Sequence, residues 1–113
     1  MEAAKALDGA LKTLGFPVSR LVRKSKTPAS TYFTYQLIVD APRAFADDDN
    51  TATESTWRVD LYTKASYTTL LPRVIAALKA AEFYAVSVEA ELYETDTNYY
   101  HVPIEAKYFI TEE

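Results

Sequence analysis

Two periodicities alternate along this chain, and the change between them is sharpest after Lys64. Trp57, Val59, Leu61 and Thr63 share one parity, with Thr56, Arg58, Asp60 and Tyr62 on the other. Successive strand side chains point to opposite faces, so this is a half-buried β-strand. From Ser66 onward the step lengthens. Leu70, Leu71, Val74, Ile75, Leu78 and Ala81 recur every three or four residues, one stripe of an α-helix. Ser66, Thr68 and Thr69 compete to cap it. Pro72 favours a start near Thr69, because proline is tolerated in the first turn, where its missing N–H has no intrahelical partner. The helix is expected to end near Glu82.

The remaining segments read as elements that cover these two. Ala3, Leu7, Ala10, Leu11 and Leu14 make a helical stripe over 2–14, with Gly15 placed to end it in the left-handed conformation and Pro17 to prevent re-entry. Residues 16–22 form a short, weak edge strand. Over 31–40, Phe33, Tyr35, Leu37 and Val39 alternate with Tyr32, Thr34, Gln36, Ile38 and Asp40 until Pro42 stops the pattern. Joined through 44–53 to the Trp57 strand, this is an antiparallel hairpin. A second hairpin follows: Tyr84, Val86, Val88, Ala90 and Leu92 on one parity, turn chemistry at 94–98, then Tyr100, Val102, Ile104, Ala106, Tyr108 and Ile110. Pro103 cannot donate to a ladder, which predicts an edge strand or a bulge there.

The elements predict one α+β domain over 1–113, in the order α-β-β-β-α-β-β. A single antiparallel sheet of four to five strands, two hairpins plus the weak edge strand, carries both helices on one face. Trp57, Val59, Leu61, Leu37, Val86, Val88 and Ile104 are expected beneath the helix of Leu71, Val74, Ile75 and Leu78. The opposite face carries Tyr62, Tyr93, Phe109 and Ile38 among charges, more apolar matter than a solvated sheet face needs, and such patches mark association.

Composition narrows the chemistry. The 113 residues contain no cysteine, which excludes disulfides and thiolate metal sites. No apolar run approaches the roughly 20 residues needed to span a bilayer, and the N-terminus lacks a signal peptide's apolar core, so an intracellular chain without a membrane partner is expected. Net charge is −4, which argues against a dedicated nucleic-acid binder. The two glycines leave no phosphate-cradling loop. His101, the one histidine, has no triad spacing and reads as a hydrogen-bonded structural or interface residue. Asp47, Asp48 and Asp49 lack the spacing and glycine of a calcium loop and read as a solvated tip. Asp60 and its carboxylate neighbours read as a charged sheet face pairing with Arg58 and Lys107. No catalytic residue, metal or cofactor is expected.

Four pieces together resemble the tail terminator, or tail completion, proteins of long-tailed bacteriophages, small neck proteins that join tail to head. They are the opening helix running into Leu14-Gly15-Phe16-Pro17-Val18, the hairpin with its Phe45-Ala46-Asp47 loop, Trp57-Arg58-Val59-Asp60-Leu61-Tyr62-Thr63-Lys64 with the helix after it, and Leu92-Tyr93-Glu94-Thr95-Asp96-Thr97-Asn98-Tyr99-Tyr100-His101. The likeness spans almost the whole chain. Glu82-Phe83 departs from it, since similar sequences commonly carry Gly-Phe there. The resemblance implies a non-enzymatic α+β subunit, made in the host cytoplasm and found in the virion neck. It implies assembly into a ring, typically a hexamer, that caps the tail tube protein and docks to the head connector or stopper protein, with genomic DNA passing through the lumen.

A ring subunit needs two different complementary surfaces, because its contacts are head to tail. The basic run Arg20, Arg23, Lys24 and Lys26 and the acidic run Asp47, Asp48 and Asp49 are candidates, with Tyr62 and Tyr93 as anchors and His101 beside them. A negative subunit suits a pore through which DNA slides without sticking. The alternative is a small adaptor that captures a peptide at an exposed sheet edge or on the Tyr-rich face.

Overall fold

A computed structural model describes residues 2–25, 27, 29–44 and 51–112. They form α1 (Glu2–Lys12), β1 (Val18–Arg20), β2 (Thr31–Ala44), β3 (Thr51–Thr63), α2 (Leu70–Ala80), β4 (Tyr84–Val88), β5 (Leu92–Glu94) and β6 (Tyr99–Glu112). The fold is α+β, with one six-stranded sheet in the order β1-β2-β3-β6-β4 and β5 also paired to β6. Both helices contribute to a core laid on one sheet face. Ala3, Leu7 and Leu11 of α1 and Leu70, Val74 and Leu78 of α2 close over Phe33, Trp57, Val59, Leu61, Val102 and Ile104.

The helix ends follow their local chemistry. Thr69 is the N-cap of α2, which puts Pro72 in the first turn. At the other end Glu82 adopts φ 73°, its N–H bonds the Lys79 carbonyl, and the Phe83 N–H reaches back to the Leu78 carbonyl. This pair of bonds is a Schellman motif with glutamate where glycine is usual. Phe83 is thereby turned into the core at 3% exposure. Gly15 at φ 88° ends the turn after α1 in the same region of conformation, as its sequence position predicts.

Five expectations are corrected. The sheet has six strands, not four or five, and β1 pairs with β2 in parallel: Val18 faces Phe33, and the Phe33 N–H bonds the Pro17 carbonyl. The chain therefore leaves Arg20 at one end of the pair and enters β2 at Thr31 at the other. The strand predicted over Tyr84–Leu92 is two strands. It breaks opposite Pro103, whose carbonyl accepts from the Glu89 N–H. A strand residue's N–H and C=O point the same way, so the missing donor also faces this side, and the ladder lapses where proline cannot supply one. β6 is thus a central strand, and Pro103 interrupts its neighbour instead of marking an edge.

The other two corrections concern which face side chains take. Between Leu37 and Val39 the register with β3 slips, so Val39 lies opposite Thr56 on the face away from the helices. In β4, Tyr84 pairs with Lys107 and Ser87 with Glu105, three steps against two. The extra residue is a bulge, with Ala85 at φ 51°. Tyr84 accordingly turns away from the core, and Val88, opposite Ile104, stays 42% exposed at the sheet margin. Leu37, Leu71 and Val86 pack against the core while remaining partly accessible.

The molecule is elongated, measuring 53 × 25 × 23 Å. Its radius of gyration of 15.4 Å exceeds the ~13 Å expected of a compact chain of this length. Strand length explains this. β2 and β6 run 14 residues, about 46 Å at ~3.3 Å per residue. The helices have 11 residues, about 16 Å each, and cannot cover strands of that length.

Candidate functional site: an aromatic row and two charged edges

The face opposite the helices is organised by strand register. Tyr32 of β2 lies opposite Tyr62 of β3, Tyr62 opposite His101 of β6, and His101 opposite Leu92 of β5. One transverse row thus crosses four strands. The Tyr32 and Tyr62 rings stack at 4.7 Å between centroids, and Tyr62 and His101 at 4.3 Å. Tyr99 stands edge-on to both tyrosines, at 5.5 and 6.3 Å, and its hydroxyl donates to the Ala29 carbonyl. Two cations cap the cluster: the Arg23 guanidinium 5.4 Å from the Tyr32 ring and the Lys64 ammonium 5.0 Å from the Tyr99 ring.

Beneath the rings lies a buried ionic bridge. Asp60 Oδ1 accepts from Arg58 Nε at 2.9 Å and from His101 Nε2 at 2.7 Å, which assigns a proton to Nε2. Asp60 and His101 are 7% and 9% exposed. The bridge ties β3 to β6 and holds the imidazole flat on Tyr62. Burial, then the Asp60 carboxylate, pushes the Tyr62 phenol up to about 12. Burial and the neighbouring Tyr99 and Glu94 raise Tyr32 as well, against the lowering effect of Arg23. These phenols stay protonated at neutral pH. A histidine bonded to a carboxylate is half of a nucleophile-activating pair; here the imidazole stacks on the Tyr62 ring and its carboxylate is also paired with Arg58. The arrangement is suited to holding strands and presenting an aromatic surface. Among the described residues, no group of His, Asp and Glu is placed to hold a metal ion, and no helix is long and apolar enough to cross a membrane.

The candidate residues divide. Tyr62 and His101 meet in the row. Arg23 joins it and also donates to the Thr27 carbonyl, while Arg20 lies at the end of β1 with its guanidinium 5.5 Å from the Trp57 ring. Lys24 is exposed. Tyr93 does not join Tyr62. It faces Tyr100 on the helix side, with ring centroids 4.9 Å apart, because the break at 89–91 reverses the parity of β5 relative to β4. Lys26, Asp47, Asp48 and Asp49 lie outside the described residues. Asp60 pairs with Arg58 as expected, but Lys107 pairs with Glu54, at 3.8 Å. Sequence reading missed Tyr32 and Tyr99. Their signal was parity, since Tyr32 occupies the polar side of its strand, but their contacts with Tyr62 needed the register.

The two margins of the sheet differ in charge. At the β1 margin stand Arg20, Arg23 and Lys24; at the β4–β5 margin lies 82–98, with five carboxylates and no lysine or arginine. Each margin also exposes apolar side chains, Leu21 and Val22 at one and Val88, Leu92 and Tyr93 at the other.

The class that fold and site define is an α+β sheet protein with an aromatic row on one face and two margins of unlike charge. No protein-family model matches the chain, and the comparison with curated proteins finds no match. Among solved structures it is similar in fold to a chain of the "Virion of native gene transfer agent (GTA) particle", with TM-score 0.52 and 11% identity, over 91% of this chain and 84% of that one.

Proposed function

We propose that this protein is a structural component of a phage-like particle, a subunit of the ring that ends the tail tube and joins it to the head connector. The observation that carries the reading is the shared fold with a virion chain over nearly the full length of both. The motifs at 57–64 and 92–101 point to the neck. The two unlike sheet margins supply what a head-to-tail ring needs, and the buried, paired His101–Asp60 bridge suits a load-carrying sheet more than a reaction. Its partners in this reading are further copies of itself, the tail tube protein and the head connector, and DNA slides through a negative lumen without specific binding.

Particles purified from a strain lacking the chain provide the test. Electron microscopy should show heads and tails that remain unjoined, with joining restored when the chain is supplied in trans. Normally joined particles in its absence would overturn the neck assignment.

A further inference from the structure

We propose that consecutive copies of this chain join margin to margin, the turn after β1 of one copy seating against the β4–β5 margin of the next. The inference rests on the ring reading above and names its contact surfaces. The first surface is built around Leu21. Its φ is 68°, and the Val22 N–H bonds the Arg20 carbonyl, which makes a γ-turn centred on a bulky residue in the left-handed region. Such a turn is rare and strained. It is pinned by the Leu21 N–H on the Tyr35 carbonyl at 2.8 Å, and it leaves Leu21 62% and Val22 61% exposed. Arg20 and Lys24, both exposed, flank this apolar tip.

The second surface has the complementary character. Leu92 is 52% exposed, with Glu89 and Glu91 exposed beside it in the segment between β4 and β5. The sheet order places the two surfaces at opposite margins, four strand spacings or roughly 19 Å apart. A partner seated on one margin therefore leaves the other free. Like charges oppose self-pairing of either margin, so each surface meets its opposite, and the contact is heterologous and repeats. The apolar tip supplies adhesion and the charges supply register and steering. The acidic partner of the basic run is thus the β4–β5 margin, in place of Asp47–Asp49.

The absence of native cysteine makes the contact directly testable. Val22→Cys and Leu92→Cys are placed in separate chains, mixed at high concentration under mild oxidation, and compared with each variant alone; melting under reducing conditions checks that both are folded. The mixture should yield about tenfold more cross-linked dimer than either variant alone, the ratio expected for a modest preference in binding free energy. A chain carrying both cysteines should give a ladder ending at the closed ring. Arg20→Glu with Lys24→Glu on the Val22→Cys chain should abolish cross-linking, and Glu89→Lys with Glu91→Lys on its partner should restore it. Equal yields from mixture and single variants overturn the contact. The same oxidation in purified particles separates the two readings. Incorporation without a ladder overturns the margin contact and leaves the neck role standing. A ladder from pure protein with no incorporation of the chain into particles supports the contact and overturns the neck role. Neither ladder nor incorporation overturns both.

Discussion

At the scale of single residues, Leu21, Glu82, Ala85 and Asn98 are the described non-glycine residues with left-handed backbone, and only asparagine's short amide suits it. Glu82 ends α2 in a Schellman motif at φ 73° with an exposed side chain. The left-handed region costs an ordinary residue about 1–2 kcal/mol, part of which a glycine returns as unfolded-state entropy. Glu82→Gly should therefore raise stability by about 1 kcal/mol, read as a higher urea midpoint at unchanged slope; a lower midpoint would show that the glutamate side chain contributes more than its backbone costs. Tyr62 gives a pH-dependent prediction. Its folded value, about 12, lies above the ordinary 10.0. The raised value favours the protonated phenol in the folded state. Its stabilisation is complete below pH 10 and is lost as pH rises through the folded value. Tyr62→Phe keeps the stacked ring and removes this loss, so its melting temperature should fall less steeply than the parent's between pH 9.5 and 12. Parallel curves would assign the alkaline sensitivity to other tyrosines.

At the scale of elements, the sheet is held by cross-strand pairs on one face and by helix burial on the other. Val74 is fully buried between α2 and the sheet. Val74→Asp would place an unpaired carboxylate there and should cost about 4 kcal/mol in urea unfolding. An unchanged midpoint would mean that α2 does not cover the sheet. Periodicity located both helices, the Trp57 strand and most of the core, because each pattern is a local property of burial on one face. Parity failed at three places: Val39, Tyr84 and Tyr93. In each case one irregularity, a bulge at 37–39, a bulge at 84–87 or the gap opposite Pro103, reversed the facing of everything beyond it. Sequence alternation continued through all three without a break, so it carried no sign of the reversal.

At the scale of the whole molecule, a long sheet with unlike margins is suited to assembly. The absence of a calcium-type ligand pattern predicts that thermal melting in EDTA and in millimolar Ca²⁺ superimpose. A rise in midpoint with Ca²⁺ would instead reveal a site involving Asp47–Asp49.

The sequence by itself determined the class of fold, the two helices, the central strand from Trp57 to Thr63 and the exclusion of thiol chemistry. Each depends on residue type and spacing within a short window, where burial on one face leaves a periodic trace. Tertiary structure alone decided the parallel pairing of β1, the meeting of Tyr32, Tyr62, Tyr99 and His101 in one row, the Asp60 bridge across 41 positions of sequence, and the placing of basic and acidic segments at opposite margins. Those features depend on which strand lies beside which and in what register. Register is set by the competition of all the hydrogen-bonding ladders and the core at once, and no local pattern of residues encodes it.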